Sequence, residues 1–240
     1  MTSFRRARSE EQREARRDAI LETTADMLAE MPVAEVSLNE ISRRVGLAKS
    51  NVLRYVESRE AALLALLDAR TREWLAHLAA RPAATGTSRE RIDHIAEVLA
   101  ASLADRPVLC DLLGAAGAVL ERNVSTEVAG RHKRRSLDAM GALGEELARH
   151  VPELAQQDRF SAAGATLLCA GTVWVNTCPT PAMLAAYEAD PALAAVRLDF
   201  AAVLRTLLAV LLSGLLARAT EDAAPAPAAP DSARRAPSGA

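Results

Sequence analysis

The stretch SLNEISRRVGLAKSNVLRYVESR, residues 37–59, decides how this chain is read. Ser37 and Glu40 stand at capping-box spacing, which marks the start of a helix. Leu38, Ile41 and Val45 recur at helical intervals and form one apolar face. Gly46 follows where the chain must reverse, a place that favours positive φ. Leu47 anchors the turn. A second short helix is predicted over residues 49–56, with Val52 and Val56 a turn apart and facing inward. Lys49, Ser50, Asn51, Arg54 and Tyr55 are left facing outward. Such a surface suits phosphates and base edges, and a helix–turn–helix of this size fits a DNA major groove.

The flanks extend the pattern. Upstream, Ala19, Ile20, Leu28 and Met31 outline an amphipathic first helix; downstream, Ser58 caps a long helix predicted through Trp74 to about residue 80. Over roughly residues 16–67 the sequence resembles the DNA-binding domain of the TetR/AcrR family of bacterial transcriptional regulators. The resemblance implies a glycine turn at Gly46, a recognition helix carrying Tyr55, and a basic residue, Arg59, opening the next helix. There are two departures. Ala48 stands where the family often has a Ser or Thr cap, a loss of roughly 0.5–2 kcal/mol. Leu53 stands where a Tyr is common.

The implied fold is all-α: an N-terminal three-helix DNA-binding domain followed by a helical ligand-binding and dimerisation domain. DNA contacts are expected from Lys49, Ser50, Asn51, Arg54, Tyr55 and Arg59. Asn51 is the candidate for reading adenine, whereas Lys49 and Arg54 default to phosphate.

Composition agrees. Aromatics make up 3% of the 240 residues and no alternating β-branched run is long enough to anchor a sheet. The net charge of −2 gives no whole-chain argument for nucleic acid, so placement matters: Arg5, Arg6 and Arg8 near the start, then Lys49, Arg54 and Arg59. Cys110, Cys169 and Cys178 make an odd count without a CxxC, and no apolar leader is visible. A reduced, cytoplasmic setting follows. His77, His94, His132 and His150 show no metal spacing, and no nucleophile–base pair or phosphate loop stands out. Neither metal, cofactor nor enzymatic activity is expected. Residues 206–217 are apolar, but Arg205 and Arg218 bound them well short of the roughly 20 residues that a membrane span needs.

The expected organisation is a flexible basic tail over residues 1–9, a DNA-binding domain over 10–67, a ligand-binding and dimerisation domain over 68–220, and a disordered tail over 221–240. Within the second domain, Ser88 and Pro107 mark helix starts. A long helix is expected over residues 119–150 and another from Asp158 to about 176. Beyond a proline-bearing connection, the last helix is expected over 193–219. Leu204, Leu208, Leu211 and Leu215 form one apolar seam on it, read as the homodimer interface. Trp74, Cys110, Leu113, Met140 and Trp174 are the candidates for lining the cavity of a small, largely apolar effector.

The reading is a repressor that an effector releases from a palindromic double-stranded DNA operator. Two alternatives stay open: a thiol-based redox-sensing regulator, and a helical interaction protein without DNA binding.

Overall fold

The computed structural model describes the backbone of residues 2–222 and the side chains of residues 11–219. Among the described residues there is no strand, and eleven α-helices follow one another. Helix α1 (Thr2–Glu30) takes in most of the segment expected as a tail. The side chains of Arg5, Arg6 and Arg8, and the tail expected beyond Asp222, lie outside the described residues.

In α2 (Leu38–Val45) the Ser37 hydroxyl accepts the Glu40 N–H at 3.2 Å. The return half of the expected box is not made. The Glu40 carboxylate turns to Arg43 and Arg44, at 2.6 and 2.9 Å, whose guanidinium groups hold it down to about 2. Gly46 ends the helix at φ +70°. Its N–H reaches the Arg43 carbonyl at 3.3 Å, and the Leu47 N–H reaches that of Ser42 at 3.1 Å, a Schellman closure.

Helix α3 (Lys49–Val52) is shorter than the predicted 49–56. Past Val52 the backbone tightens: Arg54 N–H falls back to Asn51 at 3.2 Å and Tyr55 N–H to Val52 at 2.9 Å. Val52 and Val56 are buried as expected. Helix α4 (Arg59–Ala79) is capped by Ser58, which accepts the Ala61 N–H at 3.0 Å. Its 21 residues run about 32 Å, enough to carry the chain from the N-terminal unit, the head, into the second, larger unit, the body. Ile20, Met27, Val33, Ile41, Val52, Leu63 and Leu64 close the core of the head. Each contributes roughly 1.5–3 kcal/mol by leaving water.

The body holds α5 (Ser88–Ala104), α6 (Pro107–Ala115), α7 (Thr126–His150) and α8 (Gln156–Thr177). Then come α9 (Pro181–Ala189), α10 (Pro191–Ala194) and α11 (Phe200–Asp222). Thr87, not Ser88, caps α5, in a full capping box with Glu90. The helix expected over 119–150 is divided. A π turn (Ala116–Leu120) and a 3-10 turn (Glu121–Asn123) precede α7, which starts only where Ser125 accepts the Val128 N–H at 3.3 Å. The last helix starts at Phe200, seven residues later than expected at 193, because Pro191 opens a separate short helix.

Helices α6 and α8 cross in backbone contact. A Cβ on Gly171 would lie 2.7 Å from the Gly114 nitrogen, and one on Gly114 would lie 3.1 Å from the Gly171 carbonyl oxygen. Glycine on both sides is what allows that approach.

Candidate nucleic-acid interface and ligand cavity

The turn after α2 sets the angle at which α3 leaves the head. Val52 and Val56 pin its inner side, so Lys49, Ser50, Asn51 and Arg54 stand exposed and Tyr55 is half-buried. Among the described residues no side-chain hydrogen bond or ion pair engages Lys49, Ser50, Asn51 or the Arg54 guanidinium. Four of the six expected contacts thus share one surface with free donors and acceptors, and Tyr55 packs beside it against the core.

Arg59 lies elsewhere. Its guanidinium donates to the carbonyls of Val33 and Val36 and pairs with Glu60 at 3.0 Å. It fastens the start of α4 to the segment before α2, and its donors are spent inside the head. The expectation of a phosphate contact there gives way to a positioning role, because backbone carbonyls close to the helix start capture the side chain.

Two carboxylates, Glu57 of the head and Asp68 at the start of the body, meet α7 and the residue that caps it. Glu57, directly after Val56, accepts the Ser125 N–H at 2.7 Å and the Ser125 hydroxyl at 2.6 Å. These bonds hold its carboxyl below the usual carboxylate range. Asp68 on α4 is half-buried with its side chain covered; it accepts from His132 Nδ1 at 2.7 Å and from Arg135 at 3.0 Å. A carboxylate offers only acceptors, so Nδ1 carries the proton. Glu57, Asp68, His132 and Arg135 were all missed by sequence reading. Their partners lie 64 to 68 residues away, and no local pattern announces them.

Beside Asp68 and His132 lies a cavity of about 810 Å³ between α4, the end of α6, the π turn, α7 and α8. Its walls include Leu67, Leu75, Leu113, Ala116, Met140 and Leu167. Charged and polar groups also line it, among them Asp68, Arg72, His132, Lys133, Arg135 and Ser136. The size falls within the range of ligand pockets, and the chemistry is theirs: apolar walls interrupted by polar groups. Of the five expected lining residues, Leu113 and Met140 are present.

The other three have different surroundings. Trp74 is fully buried, and its indole N–H donates to Ser102 at 3.0 Å, which satisfies it as a core side chain. Trp174 packs edge-on against Phe200 with ring centroids 5.3 Å apart. Cys110 is buried, and burial pushes its thiol up to about 12. Among the described residues no cluster of three His, Cys, Asp or Glu side chains is arranged to hold a metal ion.

The expected dimer seam is corrected. Leu204 and Leu208 are buried within their own chain, where α11 packs on α5, and Leu211 and Leu215 are partly covered. The uncovered apolar residues stand a quarter turn away. Leu207 and Val210 are exposed on α11, Val210 at 67%, and Leu168 and Val175 on α8, Leu168 at 74%. The all-round apolar character of α11 hid which side is inner. Among the described residues, Phe200–Ala219 is also the one helix long and apolar enough to cross a membrane.

A sequence profile described as tetracyclin repressor-like, C-terminal domain, matches residues 68–219. No curated protein matches the chain. Several solved structures share the fold. A TetR transcriptional regulator from Rhodococcus sp. RHA1 superposes with a TM-score of 0.53 at 13% identity, over 85% of this chain and 96% of the other. A transcriptional regulator from Pseudomonas aeruginosa PAO1 gives 0.52 at 18%, over 87% and 94%. The regulator FadR from Bacillus subtilis, solved in complex with stearoyl-CoA, gives 0.51 at 15%, over 82% and 97%.

Proposed function

The chain belongs to the TetR family of transcriptional regulators, DNA-binding and effector-responsive rather than catalytic, and from that premise we propose that it is a cytoplasmic, homodimeric repressor. It binds a palindromic operator through residues 10–67 and takes a small, largely apolar effector into the body, residues 68–220. The observation that carries the reading is the outward surface of α3 and the turn after it, where Lys49, Ser50, Asn51 and Arg54 keep their polar groups free of internal partners. Asn51 reads a base edge; Lys49, Ser50, Arg54 and Tyr55 hold phosphates.

Dimerisation is assigned to the outer faces of α8 and α11, through Leu168, Val175, Leu207 and Val210. Exposed apolar side chains on neighbouring helices are what a twofold four-helix interface buries. The effector's place is the cavity that Leu113 and Met140 line. For release, it must favour the dimer geometry that misses the half-site spacing. A thiol sensor is less well supported, since a buried Cys110 with a raised pKa is a poor nucleophile.

Selection of bound duplexes from a random library tests the DNA reading. A twofold-symmetric site is expected. Recovery of no enriched sequence would favour the interaction protein without DNA binding. With the site in hand, an apolar effector is expected to raise the thermal midpoint and weaken operator binding together.

A further inference from the structure

A second concavity, about 560 Å³, lies between head and body on the other side of Asp68 and His132. Its walls come from α1, the segment after α3, α4 and α7. We propose that this cleft is an anion site, separate from the effector cavity, that takes a small phosphate-bearing molecule.

The charge balance carries the proposal. Five guanidinium groups line the cleft against three carboxylates. All three carboxylates are occupied: Glu57 by Ser125, Asp68 by His132 and Arg135, and Glu127 by Arg131 at 2.9 Å. Arg13 spends one donor on the Arg54 carbonyl at 3.2 Å. The guanidinium groups of Arg17 and Arg54 have no partner among the described residues. Like charges gathered in a concave surface focus a positive potential, and guanidinium forks match phosphate oxygens in pairs.

The phosphate has two conceivable sources, a free small molecule or the DNA backbone. The geometry favours the first. Lys49, Ser50 and Asn51 line none of the cleft; of the expected DNA contacts only Arg54 and Tyr55 reach it, and its far wall is α7 of the body. An anion held by Arg17, Arg54 and the donors that Arg131 does not give to Glu127 ties the recognition segment to α7. It also draws Arg54 away from the operator. This site stands independently of what fills the apolar cavity.

Inorganic pyrophosphate is the probe, titrated by calorimetry into the full-length protein without DNA, with sodium sulfate at matched ionic strength as control. Saturable binding is expected for pyrophosphate. The Arg17→Ala/Arg131→Ala variant should weaken it by about tenfold or more, since charge-assisted bonds are lost. Random-duplex affinity should change far less in that variant. Circular dichroism establishes that the variant is folded, and Arg131→Lys, which keeps the charge, serves if it is not. Heats equal to those of sulfate, or binding unaffected by these variants, would show an adventitious ion only and overturn the proposal. So would an equal loss of duplex and pyrophosphate binding, which would make the cleft part of the DNA surface.

Discussion

The head and the body are specified in different ways. In the head, three changes of direction are marked within a few residues: Ser37 for α2, Gly46 for the turn, Ser58 for α4. In the body the deciding contacts join distant positions. Asp68 meets His132 across 64 residues, Gly114 meets Gly171, and Trp74 meets Ser102 across 28. Local markers fix a small reading surface of one shape. Long-range pairs build a cavity whose walls come from α4, α6, the π turn, α7 and α8. The contrast predicts that substitutions in the body act on stability first, and those on the head's surface act on DNA first.

The strongest way to break that contrast lies on α11. Leu208→Glu places a carboxylate without a partner into the packing against α5, at a cost of several kcal/mol. Cooperative unfolding should be lost or its midpoint should drop by well over ten degrees. Val210→Glu, on the outer face of the same helix, should leave the circular dichroism spectrum unchanged and shift sedimentation from dimer to monomer. A folded dimer from Leu208→Glu would put the inner face of α11 on the wrong side.

Glycine gives the next test. Gly171→Leu drives a side chain into the α6 backbone and should cost about 3 kcal/mol, the upper end for overpacking. Gly46→Ala meets no atom and is charged only for its positive φ, about 1–2 kcal/mol. Thermal melts of the two variants compare a packing glycine with a turn glycine directly. Equal midpoints would mean that the α6–α8 crossing can relax.

The same contrast explains what was legible in the sequence. The helix–turn–helix, the caps at Ser37 and Ser58 and the inward valines are written in neighbouring residues, whereas the return half of the Ser37–Glu40 box and the length of the second helix, which ends at Val52, are not. The helix break before Ser125 was missed because residues 116–123 have no proline to announce it. Ser125 with Glu127 behind it was the available sign. The seam on α11 failed for another reason. When Leu or Val occupies nearly every face of a helix, spacing no longer selects one, and only the neighbour, here α5, decides. Trp74 drew attention as a large aromatic, yet its hydrogen bond to Ser102 makes it core. Asp68 and His132 form the wall between cavity and cleft, and no periodicity could have paired them.

Within the head, Arg59 and Asn51 sharpen the distinction between holding the fold and reading DNA. Arg59→Ala leaves the Val33 and Val36 carbonyls without their donor and should lower stability by about 1–3 kcal/mol. Its salt slope on random duplex should match the wild type, since no phosphate contact is removed. Asn51→Ala should leave the thermal midpoint unchanged. On the operator it should cost about 1–3 kcal/mol, at one base pair per half-site. A shallower salt slope for Arg59→Ala would return that residue to the DNA surface.

The smallest effect is expected where head and body touch, at Glu57. Its carboxylate accepts two bonds from Ser125, the residue that caps α7. Glu57→Gln leaves a single carbonyl oxygen to accept them and sets an amide donor where the second acceptor was, so the thermal midpoint should fall by a few degrees at neutral pH. Acid isolates the cause. Because the bonds to Ser125 lower the folded-state pKa of Glu57 below its usual 4.5, their contribution is complete above 4.5 and is lost as the pH falls through the folded value. Glu40 and Glu153, each held down to about 2 by arginine partners, lose their contributions in acid as well, so absolute midpoints will fall for every variant. The difference between wild type and Glu57→Gln removes that common part. It should be constant from neutral pH to about 5 and vanish in stronger acid. A difference that persists there would mean that the glutamine acts through packing, and that the carboxylate is not what fastens the recognition segment to α7.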